Sequence, residues 1–504
     1  MMRQYYDGVE SPAVARNWFG TPRPLRVSKR IEHAMADNGT AADHPTREIT
    51  AFLRTVEIND VPPLVLERAK RSLLDGLGLA VAGSTTRAAE ITGGVIGSYG
   101  RLAPEAAVLG TSTRMPARFA AFMNGLAIHA HDFDDTQLAV RPDRVYGLLT
   151  HPTAPVLPVA LALSERADRS GRDLLLGYLI GIEIATKLAE AISPRHYDDG
   201  FHSTGTLGAI GGAAAASRLL ELDDEKSAVA LGIAASQSGG LREHFGTMTK
   251  PFHAGHAAES AVFAAELARD GFTAATNALE AKRGFFNAAG GGYDPTAIHG
   301  VLGDPWTFDD PGISIKPHPS GSLTHPGMGA FLELVLAEDL RPEYVERITV
   351  GTNRHMPNAL IHHRPATELE AKFSMEFCMA ILLIERRAGL AQFTDEVVRR
   401  EDVRRMIDRV EFGVHPDAEA AGYNNMTTII GVDTTDGRHF ETSASFGKGS
   451  PQNPMSDDEL IAKFAGCLEW GGRGAVDAVG LAQRVLDLES ETSVRDLLSV
   501  IAPR

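Results

Sequence analysis

Residues 129–136 read His-Ala-His-Asp-Phe-Asp-Asp-Thr, and His151-Pro152 follows them. Two histidines, three aspartates and a threonine are set here between apolar segments. Such a cluster is costly to bury unless it is paired, solvated in a cleft or bound to something. One reading is a helix cap or an acidic surface turn. The other is an active-site wall supplying a general base and hydrogen-bond donors, and the rest of the chain favours it. His129, His131 and Asp132 also invite a metal reading. In a helix, however, His129 and His131 point about 200° apart and cannot share one ion, so no metal is expected. Asp132 suits a base, or the group that orients one. Thr136, four residues on, would share its helical face.

Three more polar islands follow. Residues 200–208, Gly-Phe-His-Ser-Thr-Gly-Thr-Leu-Gly, surround His202 with three glycines and three hydroxyl groups. They suit a helix N-terminus whose free N–H groups could meet a carboxylate, or a plain glycine-rich turn. Residues 250–256, Lys-Pro-Phe-His-Ala-Gly-His, place Lys250 and His253 ahead of a helix, where they could bring positive charge to a carboxylate or simply face solvent. Residues 316–325, Lys-Pro-His-Pro-Ser-Gly-Ser-Leu-Thr-His, present Lys316, His318, Ser320 and His325 on a proline-stiffened segment. That segment reads as the wall of an interdomain crevice or as a linker. No GxSxG elbow, GxGxxG or GxxxxGK[ST] pattern occurs, so a serine nucleophile, a nicotinamide or flavin cofactor and a phosphate loop are not indicated.

The elements that must position these islands change in character along the chain. From about 46 to 310 the pattern is helix after helix, including 60–82, 115–130, a long one opened by the Ser170–Asp173 capping box, one from Asp223 to Gly239-Gly240, and one after His253. From 311 to 455 the texture is α+β. Strands are expected at 347–352 and 409–414, with a hairpin over 426–446 and helices near 325–338 and 373–390. A capping box at Ser456–Glu459 returns the chain to helix, and 456–504 would complete the helical domain. Residues 1–45 read as a polar arm outside the core. The expected class is therefore mainly α: a large all-helical domain with a smaller α+β domain.

The chain has 504 residues, a net charge of −16, 43% hydrophobic and 23% charged residues. Length favours two domains, and the charge argues against a nucleic-acid or anionic-membrane surface. Cys378 and Cys467, the two cysteines, are too few for a disulfide framework or a cysteine-ligated cluster. They fit packed thiols in a reducing cytoplasm. The first residues lack the apolar core of a signal peptide, and no apolar run is long enough to span a membrane.

Taken in order, the islands resemble the MmgE/PrpD family, which includes 2-methylcitrate dehydratase, cis-aconitate decarboxylase and iminodisuccinate epimerase. The matching pieces are AIHAHDFDDT (127–136), HPTAPVLP (151–158), SGRDLLLGYLIGIEIATKLA (170–189), GFHSTGTLGA (200–209), TKPFHAGHAA (249–258), KPHPSGSLTHP (316–326) and EAKFSMEF (370–377). The resemblance implies a homodimer, an α+β lid and cofactor-free chemistry on a small carboxylic acid. It puts Asp132, Thr136, His151, His202, Lys250 and Lys316 at the family's active-site positions. On that basis Asp132, His151, His202 and Lys250 are the expected catalytic residues, with Thr136, Lys316, His318, Ser320 and His325 binding substrate.

Some features depart from the family pattern. The usual Lys-x-Tyr-Pro has His318 in third place. Gly321 stands where the decarboxylase carries a histidine, that enzyme's tyrosine has no match near Ile361, and the stretch Gln137–Thr150 is long. Together these argue against cis-aconitate decarboxylase and leave dehydratase, isomerase and epimerase open. Dehydration of a hydroxy di- or tricarboxylate is the leading expectation, with epimerase, isomerase or decarboxylase chemistry as alternatives. A carboxylate-binding protein without turnover is the alternative of another class.

Overall fold

Small and apolar residues at helical spacing become helices over most of the chain. The computed structural model describes residues 44–137, 150–422 and 425–502. Nearly all of the proposed arm and the stretch 138–149 lie outside the described residues. Pro45 already stands at the first position of the helix Pro45–Thr55, where its missing N–H costs nothing.

At the centre of the helical part runs Ser203–Leu219, buried along its length except at Arg218. Its sequence is mostly glycine, alanine, serine and threonine, so neighbouring helices come close. Thr153–Ala167, Gly171–Ile192 and Thr249–Arg269 pack around it, and Ala117–His129 lies along Thr249–Arg269. Pro63–Gly83 joins Ala117–His129 to the C-terminal helix Asp457–Trp470. Both expected capping boxes form, Ser170 with Asp173 and Ser456 with Glu459. One apolar cluster draws on residues between Ile49 and Ile315, on Leu390 and on Met455–Ala502. The last helices thus share a core with the first ones.

A second apolar cluster draws on Leu323 to Val432. Its sheet has four strands in the order Val410–Val414, Val345–Thr352, Thr428–Thr434, His439–Ala444. The first pair is parallel, with Ile348 opposite Val410, and the other pairs are antiparallel. A parallel pair needs a crossover, and the chain between those strands supplies it with Met375–Glu385 and Glu401–Ile407. The helix His325–Ala337 packs on the hairpin strands. Among the described residues no helix is long and apolar enough to cross a membrane.

Three local expectations need correction. The helix expected after His253 starts earlier, at Thr249, so Lys250 and His253 lie within it. Pro251 is tolerated there because the first helical turn has no partner for its N–H. The helix from Asp223 ends at Gln237, before the glycine pair, and Ser238 is already extended. Thr136 does not share a helical face with Asp132. The helix stops at His129, Asp132 has a φ of 51°, and Thr136 bridges to Ser314.

Candidate active site

Asp132 sits on the turn that ends the helix Ala117–His129. A positive φ is uncommon outside glycine, though aspartate tolerates it better than most. Three lysines from distant parts of the chain hold this turn by its carbonyls. The Nζ of Lys372 donates to Ala130 O (3.2 Å), that of Lys316 to Asp132 O (2.9 Å), and that of Lys463 to Phe133 O (2.8 Å). Cations here also face the negative end of the helix dipole. Lys463 in turn pairs with buried Asp75 at 2.6 Å and lies over the Phe133 ring.

The Asp132 carboxylate is the centre of charge pairing. Its Oδ1 lies 2.5 Å from Lys250 Nζ, 3.2 Å from Lys316 Nζ and 3.7 Å from His151 Nε2. Burial by itself would raise the Asp132 carboxyl. The charges of Lys250 and Lys316 outweigh burial and, with His151, hold it well below the usual carboxylate range. Burial lowers Lys316 and Lys372, and the charge of Asp132 partly offsets this for Lys316. Lys250 also lies 5.4 Å from each of the rings of Phe245 and Phe373.

Asp134 is held from two sides, by His129 Nδ1 at 2.9 Å and His151 Nδ1 at 3.2 Å. Burial opposes its ionisation, and the two imidazoles prevail and keep it well below the ordinary value. The same burial pushes His151 down to about 3 and His202 well below its usual value. Both imidazoles are therefore neutral near pH 7, a state in which one ring nitrogen can accept a proton. The rings of His129 and His151 meet edge to face at 4.4 Å, and His202 stacks on His129 at 5.6 Å. Asp132 Oδ2, His129 Nε2 and His202 Nε2 are buried and make no hydrogen bond among the described residues. Buried polar atoms of this kind are rare in proteins, and here they gather in one place.

The structure thus brings together Asp132, His151, His202, Lys250 and Lys316. Thr136 Oγ1 shares a hydrogen bond with Ser322 Oγ at 3.0 Å. The other three expected residues form a network of their own. Ser320 Oγ bonds Thr324 Oγ1 at 2.9 Å and His325 Nε2 at 3.3 Å, while His318 Nδ1 donates to Ala388 O at 2.9 Å. His318 is thereby turned toward the α+β core. Gly321 N donates to Lys372 O at 2.8 Å, joining this segment to the lysine that holds Ala130 O.

Asp134, Lys372 and Lys463 belong to this cluster without having been singled out from the sequence, and His129, weighed there only as a metal ligand, belongs to it too. Lys372 lies within the EAKFSMEF motif, but a lone lysine ordinarily reads as solvent-facing. Asp134 pairs with His129 only because the helix ends between them. His131 points elsewhere, with Nε2 toward Ala82 O and its ring near Trp470.

His129, Asp132, Asp134 and His151 offer donor atoms within 4.8 Å of one another, a composition that could hold a cation. Two ammonium groups already share Asp132, and two more stand on the neighbouring carbonyls of Ala130 and Phe133. A cation would have to displace them, whereas an anion is drawn to them.

Family models match both parts of the chain. The MmgE/PrpD N-terminal domain matches residues 47–297 and the MmgE/PrpD C-terminal domain residues 318–488. Cis-aconitate decarboxylase of Homo sapiens is 30% identical over 431 residues, covering 83% of this chain and 86% of the relative. The enzyme of that name from Mus musculus is 28% identical, covering 90% and 93%. That from Aspergillus terreus is 26% identical, covering 91% and 94%. With both halves matched in order, the chain belongs to the MmgE/PrpD family of enzymes.

Proposed function

We propose that the chain is a cofactor-independent lyase that moves a proton at a carbon beside a carboxylate in a small di- or tricarboxylic acid. The observation carrying this reading is the buried Asp132 carboxylate clamped by Lys250 and Lys316 next to neutral His151. A substrate carboxylate entering this cluster meets ammonium groups in a low-dielectric setting, where they favour charge that develops as the carbon loses its proton. In dehydration one imidazole, His151 or His202, takes the C–H proton, and the electron pair passes through an enediolate-like species. The β-hydroxyl then leaves as water with the proton that the imidazolium so formed now carries, passed on directly or through the neighbouring imidazole. Both rings end neutral. Positioned proton transfer of this sort contributes about 10²–10⁴-fold in rate. Dehydration is placed ahead of decarboxylation because Gly321 stands where the decarboxylase carries a histidine and that enzyme's tyrosine has no match near Ile361. Epimerisation or isomerisation by the same proton-transfer groups stays close behind.

A second reading is decarboxylation, favoured by the name cis-aconitate decarboxylase that the human, mouse and Aspergillus relatives share. There a C–C bond breaks, carbon dioxide leaves, and the electron pair left behind takes a proton that the same imidazoles draw from solvent. Thr136, Ser320 and His325 complete the proposed substrate contacts in both readings, with the α+β part closing over the site as a lid. His318 is left out because its ring is held by Ala388 O. The proposed assembly is a cytoplasmic homodimer, for which light scattering should return twice the 54.0 kDa chain mass.

Proton NMR in deuterated water tests the function. The protein is mixed in turn with 2-methylcitrate, citrate, cis-aconitate and malate-like acids. New alkene signals from a hydroxy acid establish dehydration. Loss of a carboxylate from cis-aconitate moves the assignment to decarboxylation, and deuterium exchange alone moves it to epimerisation or isomerisation. Unchanged spectra with every acid would overturn the lyase reading.

A further inference from the structure

His202 and His253 meet through like atoms. Their Nδ1 atoms are 3.0 Å apart, and both rings are mostly enclosed, with residue exposures of 1% and 7%. His202 caps the helix Ser203–Leu219, and its backbone N–H donates to Gly240 O at 2.9 Å. His253 stands in the second turn of Thr249–Arg269. The contact is built into the backbone on both sides. A methyl group on Gly205 would press on His253 Cβ at 3.0 Å and strike Gly239 O. One on Gly240, whose φ is +136°, would stand 3.1 Å from His253 Cγ and 3.4 Å from His202 Cβ. The two rings occupy a slot that only glycine leaves open.

A hydrogen bond between two Nδ1 atoms has a strict requirement. One ring must carry its proton on Nδ1 and the other must present a lone pair there. The tautomers are therefore linked. When His202 donates from Nδ1, its Nε2 holds a lone pair and is a base. When His253 donates, His202 carries its proton on Nε2 and is an acid. That Nε2 is buried and unpartnered among the described residues, in the cluster of His129, His151 and Lys250. On the far side, the ring of His253 lies 5.8 Å from that of half-buried His244. The charged and titratable groups around His253 are His129, His202, His244, Lys250 and His256.

We propose that His253 is the proton-exchange partner of His202, passing a proton between the buried imidazole and solvent across the Nδ1–Nδ1 contact. The balance is simple. A proton taken from substrate arrives on His202 Nε2, the Nδ1 proton crosses to His253 Nδ1, and His253 releases its Nε2 proton on the side of His244. One proton enters and one leaves, both rings end neutral with their tautomers exchanged, and the reverse passage delivers a proton to product. His253 acts through His202 and is a positioning and relay residue. The catalytic consequence rests on the proposed lyase reading, while the linked tautomers do not.

The test separates the two. Enzyme labelled with nitrogen-15 in histidine is compared with His253→Asn, with the His202 resonances assigned from His202→Asn. Asparagine keeps a hydrogen-bonding group near Nδ1 but cannot pass a proton through itself. In the unchanged enzyme the His202 nitrogens should show the shifts of one tautomer, and His253→Asn should change their populations. Identical His202 shifts in both proteins overturn the linked tautomers, whatever the substrate. On the acid that NMR identifies, kcat of His253→Asn should fall about 10²-fold, and imidazole in the buffer should restore it in proportion to concentration. His253→Ala, which loses both the hydrogen bond and the relay, should respond to imidazole in the same way. Full activity in His253→Asn, or a loss that imidazole does not repair in either variant, overturns the relay.

Discussion

At Asp132 one carboxylate answers two ammonium groups, and two more, of Lys372 and Lys463, sit on the carbonyls of the same turn. In the proposed chemistry Lys316 acts twice, bonding the Asp132 carbonyl and facing the incoming carboxylate. Lys316→Met should lower kcat/KM about 10²–10³-fold, the usual cost of removing one preorganised donor. Its effect on stability should be smaller, since removing a buried charge also removes its desolvation penalty and Lys250 still neutralises Asp132. Lys316→Arg should not restore turnover, because a fully enclosed site has no room for the larger planar fork. Steady-state kinetics beside urea denaturation checks both, and unchanged kcat/KM in Lys316→Met would remove this lysine from the site. The expected residues Asp132, His151, His202, Lys250 and Lys316 do converge. The parts played by Asp134 and Lys372, and the pairing of His129 with Asp134, were not legible because their partners are set by where a helix stops and which segment crosses over it.

The helix Ala117–His129 delivers His129 and the Asp132 turn, so its placement governs the site. Gly83 ends the helix Pro63–Gly83 directly against Ala127, and a methyl there would collide with the Ala127 carbonyl. Main chain cannot swing aside as a side chain can. Gly83→Ala should therefore destabilise the protein by about 1–3 kcal/mol, the range for overpacking, and should lower turnover by tilting the helix. Gly94→Ala is the matched control. It lies within the helix Arg87–Gly97 with nothing near the new methyl, and should stabilise by about 0.4–1 kcal/mol. Chemical denaturation of the pair checks this, and equal midpoints would refute the close-approach argument. At this scale much was legible. Capping boxes at Ser170 and Ser456 and the helical spacing of apolar residues are local signals, and they mark real elements. The start of Thr249–Arg269 was misplaced because Pro251 reads as a break, although the first turn accepts it.

For the whole molecule, the buried titratable groups set how stability follows pH. Burial above all pushes His131 and His151 down to about 3, and His253 and His318 to about 4. Between those values and the ordinary 6.5, the unfolded chain takes up protons that the folded chain refuses. Stability from these groups is therefore lost as pH falls below about 6.5. Asp75 and Asp135, raised by burial to about 6 and about 7, act in the opposite sense. The folded chain keeps their protons above 3.8, so their contribution is lost as pH rises through that window. Four histidines with wide windows outweigh two carboxyls, and the Tm should drop between pH 7 and 4.5. A flat or rising Tm over that range would show that these imidazoles are not buried neutral.

By itself the sequence determined that the chain is mainly helical, where the strands of its four-stranded sheet lie, and which polar islands are the candidates for chemistry. Those properties follow from periodicity, caps and turn residues, whose free energies are decided within a few positions. Tertiary structure alone decided that Lys250 and Lys316, 118 and 184 positions from Asp132, meet on one oxygen. It also turned His318 and His131 away and set His202 against His253. The physical reason is that a buried charge or imidazole takes its character from the groups sharing its low-dielectric surroundings, and those are chosen by helix packing across the whole chain.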